Sequence, residues 1–193
     1  CINAGVPGYS LFQGWRYLEA EGLGYEPDLV VLNFGWNDYS AWDNRSDQAH
    51  YETARAARPP GLLAASRACR LLWGILHAPP KVNSADRPRV LPEEFRALLG
   101  KVKALTDERG IELLVLVWPM RGNTEAATPA DMRTELQQEM IAFGDALDLV
   151  PLARQLVAEH GSDAIYLDNG HVSASAHAAI AQAIVDRIEG DFQ

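Results

Sequence analysis

Two long apolar runs constrain the fold of this chain more than any other feature. Leu29–Phe34 and Ile111–Trp118 are rich in leucine and valine, and neither alternates regularly between apolar and polar residues. Such runs are typical of strands that are buried on both faces, and these occur in parallel sheets covered by helices. Gly35 and Pro119 follow the two runs and end them. The runs therefore predict a parallel sheet at the centre of the molecule.

Segments with helical periodicity separate these strands. The alternation of strand and helix along the chain predicts an α/β fold, a three-layer α/β/α sandwich with a mostly parallel sheet. Two shorter strands are predicted at Cys1–Asn3 and Ala146–Val150. The predicted helices that flank the sheet are Leu11–Ala20, Pro92–Glu108, Pro129–Phe143, Pro151–Glu159 and a last helix that runs through Ile188.

Residues 40–92 are the least regular part of the chain. They contain Pro59-Pro60 and Pro79-Pro80 and one predicted helix, over Leu62–Leu76. We interpret the region as a variable insertion over the strand ends or as a lid, and a surface excursion is the alternative. With this region as an insertion, residues 1–193 are expected to form a single domain.

Charge and composition exclude several classes of function. The net charge of −9 argues against a nucleic-acid partner and against an anionic membrane surface. No apolar run is long enough to span a bilayer. Cys1 and Cys69 form no Cys-x-x-Cys motif, and His50, His77 and His160 have no metal-ligand spacing, so no metal site is predicted.

A loop near the C-terminus pairs an acid with an imidazole. In Asp168–His171 the two side chains stand three residues apart around an Asn-Gly turn signal. A carboxylate at this distance can fix the tautomer of the imidazole and stabilise the imidazolium formed during proton transfer. The alternative is an aspartate that caps a turn beside a surface histidine.

Two further loops follow predicted strands. In Gly5–Ser10, a glycine can direct a backbone N–H at a developing oxyanion, and in Gly35–Asp38 the Asn37 amide can do the same. The alternatives are ordinary turns at Gly8 and Asn37, and a helix cap at Ser10. Acyl transfer requires such donors together with a base and a nucleophile.

In this order the three loops resemble blocks of the SGNH (GDSL-type) hydrolases. Asn3–Ser10 is similar to the second block of that family, Gly35–Asp38 to the third, Gly-x-Asn-Asp, and Asp168–His171 to the last, Asp-x-x-His. The resemblance covers most of the chain outside residues 40–90. It implies a flavodoxin-like sheet with the strand order 2-1-3-4-5.

The resemblance also implies a role for four residues. Gly8 and Asn37 would be oxyanion donors, His171 the general base, and Asp168 the carboxylate that orients it. The implied protein is a serine ester hydrolase that acts on a small-molecule or carbohydrate ester without a cofactor. The alternatives are an O-acyltransferase acting on a polysaccharide and a non-catalytic SGNH-like binding domain.

The sequence departs from the family in one respect. The first block, Gly-Asp-Ser-Leu, which supplies the nucleophilic serine and the first, central strand, is not found in these 193 residues. We therefore expect the serine to lie upstream of Cys1. The strands at Ile2 and Val30 would then lack their shared neighbour. The chain alone is expected to be inactive and less stable than its parent.

Overall fold

A computed structural model describes residues 1–41, 43–59, 61–76, 87–125 and 133–191. Three strands form its sheet: β1 (Leu29–Leu32), β2 (Glu112–Val117) and β3 (Ala146–Asp148), in the spatial order β1-β2-β3 with both pairings parallel. The helices are α1 (Leu11–Ala20), α2 (Asp47–Ala56), α3 (Arg67–Leu76), α4 (Pro92–Asp107), α5 (Arg121–Glu125), α6 (Glu135–Phe143), α7 (Val150–His160), α8 (Ser162–Ile165) and α9 (Ala174–Asp191).

Strand β2 separates two hydrophobic cores. Val115 and Val117 point into a core shared with α1, α4 and α6, whereas Leu114 and Leu116 point into a core shared with α7 and α9. All four side chains are buried. This alternation places helices on both faces of a parallel sheet, which confirms the predicted α/β/α sandwich and the burial of this strand on both faces.

Strand β1 lies at the edge of the sheet. It pairs with β2 and with no other described strand, and the side chain of Val31 is 42% exposed. The prediction that β1 is buried on both faces was therefore wrong. The strand predicted at Cys1–Asn3 was also wrong, since this segment has no ladder partner in the described chain and Ile2 is 62% exposed.

Several element boundaries differ from the predicted ones for local reasons. β3 ends at Asp148 because the Asp148 carboxylate accepts the Val150 N–H at 3.1 Å, where α7 begins. Thr134 caps the described part of the predicted Pro129–Phe143 helix, whose earlier residues lie outside the described ranges.

The inserted region is more helical than its sequence predicts. Helix α2 was not predicted, and its cap is Ser46, whose hydroxyl accepts the Ala49 N–H at 3.1 Å. The helix predicted over Leu62–Leu76 is divided into a 3₁₀ turn, Gly61–Ala65, and α3. Pro79-Pro80 lies outside the described residues. None of the helices that the structure describes has the length and apolarity needed to cross a bilayer.

Candidate active site

The candidate site lies beyond the carboxyl ends of β1 and β2. A polar loop that contains Gly35–Asp38 follows β1, and Trp118 follows β2 directly. In open parallel sheets this edge is where ligands bind, because the strands end there together and their loops converge.

Asp168 and His171 are in direct contact. The imidazole Nδ1 lies 2.7 Å from one carboxylate oxygen of Asp168, and the other oxygen accepts the backbone N–H groups of Gly170 and His171, each at 2.8 Å. These backbone hydrogen bonds, together with the one from the His171 ring, lower the pKa of Asp168 to about 2. The carboxylate is therefore charged at neutral pH and favours the imidazole tautomer that carries its proton on Nδ1.

The framework holds this loop in place from two sides. The indole N–H of Trp118 donates to the Gly170 carbonyl at 3.0 Å, and the Arg121 N–H donates to the Asn169 carbonyl at 3.0 Å. An isolated antiparallel bridge between Tyr166 and Val172 closes its base. The Asp168 and His171 side chains remain accessible: Asp168 is 59% exposed and His171 is 79% exposed.

Gly8 occupies a turn that presents its backbone outward. Its φ is +84°, and a Cβ placed there would have open space around it. The Tyr9 N–H donates to the Val6 carbonyl at 3.2 Å and closes the turn. The Gly8 N–H has no acceptor among the described residues, so it is free to bind an anionic oxygen.

Asn37 and Trp36 connect the three loops to one another. The Asn37 amide donates to the Tyr9 carbonyl at 3.2 Å, which engages one of its two N–H groups. The Trp36 ring packs beside Gly170, where a Cβ would lie 3.7 Å from it. The loop after β1 therefore contacts the Gly8 turn on one side and the His171 loop on the other.

Asp38 is a buried residue that holds the loop after β1 against the start of α1. One of its carboxylate oxygens accepts the Leu11 N–H at 2.8 Å and the other accepts the Gly35 N–H at 2.9 Å. Burial raises the pKa of Asp38 to about 6, although both backbone hydrogen bonds act in the opposite direction. The side chain joins the start of α1 to the loop that carries Asn37.

A buried ion pair between Arg89 and Asp47 supports the Gly8 turn. Arg89 is 2% exposed and contacts the Asp47 carboxylate through Nε at 3.0 Å and Nη2 at 2.8 Å. Its Nη1 donates to the Gly8 carbonyl at 2.7 Å, and Nη2 also donates to Gln13 at 2.6 Å. Ser10 stands at the N-cap position of α1, but its hydroxyl donates to Asp47.

Sequence reasoning did not identify Arg89 or Asp47. They lie 42 residues apart, and Arg89 is 81 residues from Gly8, so neither motif spacing nor periodicity connects them. The only local signal is an arginine among apolar residues just before a helix, which is too common to be informative.

The loops surround a cavity of about 300 Å³. His171 and Asn37 both line it, and Gly8 adjoins it through Tyr9. His177 lies beside Trp118, with ring centroids 5.6 Å apart. The described lining is mainly aromatic and apolar and consists of Tyr9, Asn33, Phe34, Gly35, Trp36, Asn37, Trp118, Met120, Thr134, Gln137, Met140, Gly170, His171 and His177.

The four predicted site residues thus lie on loops that meet at one cavity, with Asp168 touching His171 and Asn37 touching the Gly8 turn. The arrangement places an imidazole in contact with a carboxylate near two amide groups that have an N–H to donate. No serine or cysteine is among the described residues that line the cavity.

Two solved structures share the architecture. An acetyl xylan esterase, AlAXEase, matches with a TM-score of 0.60 and 12% identity, over 96% of this chain and 79% of its own. LAE5, an alpha/beta hydrolase enzyme from the metagenome of Lake Arreo, Spain, matches with a TM-score of 0.60 and 18% identity, over 96% of this chain and 70% of its own. No family model and no curated protein matches this chain in sequence. At these identities the likeness establishes the fold, an α/β architecture that both hydrolases share.

Proposed function

We propose that this chain is the base-bearing part of an SGNH-type serine ester hydrolase. The observation that carries the proposal is the 2.7 Å contact between His171 Nδ1 and Asp168, at a cavity that Asn37 also lines. The names of the two structural neighbours, an acetyl xylan esterase and an alpha/beta hydrolase enzyme, agree with this assignment.

In this proposal each of the four site residues has a separate role in acyl transfer. His171 Nε2 removes the proton from a serine hydroxyl as its oxygen attacks the ester carbonyl, and later delivers that proton to the departing alcohol. Asp168 holds the imidazole in the required tautomer. The Gly8 N–H and the second N–H of the Asn37 amide hold the oxyanion. Water then attacks the acyl-enzyme, with His171 again as the base, and releases the acid.

The nucleophilic serine belongs, in this proposal, to a segment outside the 193 residues. Two features of the described chain support this: its cavity lining has no serine, and β1 has an open edge onto which another strand can pair. Such a segment would also cover part of the exposed Asp168–His171 loop. The chain without it is expected to be inactive.

The cavity favours an ester with a short acyl group. A volume of about 300 Å³ is at the lower end of the range for small-molecule sites. Trp36 is 53% exposed beside it and offers an aromatic face on which a sugar or aromatic alcohol could stack. We therefore propose acetyl esters, including those of carbohydrates, as the first substrates to test.

The test is hydrolysis of 4-nitrophenyl acetate by the protein that includes its native upstream segment. His171→Ala should lower kcat by about 10⁴-fold or more, and Asp168→Asn should do so to a similar degree. His160→Ala is the matched control, because that imidazole is 58% exposed and pairs only with Glu159 among the described residues. Unchanged turnover in the His171 variant would refute the assignment.

A fluorophosphonate probe locates the nucleophile directly. The 193-residue chain should form no adduct, and the upstream-extended protein should form one, on a serine upstream of Cys1. An adduct on Ser10 or on any other residue of this chain would overturn the proposal that the nucleophile lies outside the 193 residues. Transfer to an added sugar in preference to water would indicate the acyltransferase instead.

A further inference from the structure

Helix α3 carries an apolar face that the described structure leaves uncovered. We define the α3 apolar face as Leu71, Leu72, Ile75 and Leu76, together with Leu63 from the preceding 3₁₀ turn, all between 51% and 78% exposed. On α3 these residues repeat at a spacing of four, which places them along one side of the helix. At 100° per residue, the half-buried Cys69 borders this face beside Leu72 and Leu76, Arg67 borders it beside Leu71, and Arg70 lies on the opposite side of the helix.

Unpaired arginines occur on α3 and in the segment of the chain that precedes it. Four exposed arginines have no ion-pair or hydrogen-bond partner for their side chains in the described chain: Arg55, Arg58, Arg67 and Arg70. Arginines elsewhere are typically paired, as Arg96 is with Glu139 and Arg121 with Glu125. Between Glu52 and Asp86 the sequence has five basic residues and no acidic one, in a chain of net charge −9.

We propose that helix α3, with its apolar face and its own arginines Arg67 and Arg70, docks on the surface of an anionic lipid bilayer. A helix with leucine and isoleucine on one side and arginine at the border and on the polar side is suited to lie in the interface, with its apolar side among the acyl chains. The guanidinium groups extend to the lipid phosphates along their apolar stems. The chain's net negative charge does not prevent this, because charges beyond about 10 Å are screened at physiological salt and the local segment is basic.

Two other occupants fit the observations less well. In a symmetric dimer the same patch faces itself, so these arginines would approach one another without an acidic counterpart. As a lid over the candidate active site, α3 would be expected among the lining residues, yet none of the described residues lining the cavity comes from 61–76. A bilayer matches the apolar and the basic components together.

Vesicle co-sedimentation of the protein that includes its native upstream segment tests the proposal. We expect binding to vesicles of phosphatidylcholine with about one third phosphatidylserine, and at least tenfold weaker binding to phosphatidylcholine alone. Raising the salt from about 0.1 M to about 0.5 M should weaken binding to the anionic vesicles. Equal binding to both vesicle types, or binding to neither, would overturn the proposal.

Paired variants separate the two components. Arg67→Glu with Arg70→Glu should weaken anionic-vesicle binding by more than about 25-fold, and Leu72→Ser with Ile75→Ser by more than about tenfold. The controls are Arg109→Glu, on an exposed arginine paired with Glu108, and Val185→Ser, on an exposed apolar residue of α9. If the control variants lose as much vesicle binding, the proposal is contradicted. It is also contradicted if the protein does not bind vesicles but forms a dimer that the two serine substitutions dissociate.

Discussion

Gly8 shows how one residue type fits one backbone position. At φ +84° an L-residue is strained even though the space around the missing Cβ is open. Gly8→Ala should therefore lower the free energy of unfolding by about 1–2 kcal/mol through the backbone alone. Urea denaturation followed by circular dichroism measures this difference.

The matched control for that variant is Gly24→Ala. Gly24 also has open space around its Cβ position but does not have a positive φ. Alanine there should change the free energy of unfolding by no more than about 1 kcal/mol, in either direction. Equal effects at the two glycines would mean that the Gly8 conformation is not the cause.

At the level of elements, Arg89 ties α1, α2 and the Gly8 turn together. Arg89→Met would leave the Asp47 carboxylate buried without its counter-charge and remove the donor to the Gly8 carbonyl. We expect the free energy of unfolding to fall by about 3–5 kcal/mol, measured by urea denaturation. A loss below about 1 kcal/mol would show that the network does not hold these elements.

Arg96→Met provides the comparison for this buried pair. Arg96 bonds to Glu139, but the arginine is 68% exposed, so solvent screens the interaction. Its removal should cost less than about 1 kcal/mol. Replacing Asp47 and Arg89 together with apolar residues should recover part of the loss, because no unpaired charge then remains buried.

The strands illustrate what can be predicted about an element from its own residues. Ile111–Trp118 lies between two neighbouring strands, and its apolar run correctly predicted burial on both faces. Leu29–Phe34 has the same type of sequence, yet Val31 is exposed because only one described strand pairs with β1. A run of apolar residues describes the environment that a strand requires, whereas its actual burial depends on which neighbours are present.

For the molecule as a whole, Asp38 should make stability depend on pH. Burial raises its pKa from 3.8 to about 6 in the folded state. The folded protein then binds the proton more tightly than the unfolded chain, so this contribution is fully present below about pH 4 and is lost as the pH rises through about 6. The measurement is urea denaturation at pH 4 and at pH 7.

Asp38→Asn isolates this contribution from those of the other carboxylates. Asparagine has one oxygen in place of two, so one of the N–H groups of Leu11 and Gly35 loses its acceptor. The variant should be less stable than the wild type by about 1–3 kcal/mol at pH 4, and this deficit should shrink by pH 7. A deficit that is equal at both pH values would mean that Asp38 has an ordinary pKa.

The candidate site could be predicted from the sequence where its parts are local. Asp168 and His171 stand three residues apart, so their contact follows from one loop, and the strand ends indicated where Asn37 would lie. The Arg89–Asp47 network depends on how the inserted region folds back onto α1, where Arg89 contacts Gln13, and onto the loop after β1, where the Arg89 N–H donates to the Ser40 carbonyl at 3.0 Å. Contacts between residues this far apart in sequence depend on the fold of the whole chain, so no single segment has a pattern that predicts them.

The spatial order of the strands has a consequence for synthesis. Because β1, β2 and β3 lie side by side in the order in which they occur along the chain, each strand leaves the ribosome after the neighbour it pairs with. The sheet can therefore extend one strand at a time while translation continues. A strand encoded upstream of β1 would be synthesised before β1 and could pair with it as soon as β1 emerges. Helix α9 follows all three strands along the chain and covers part of one face of the sheet, so this apolar face stays exposed during synthesis until α9 has formed.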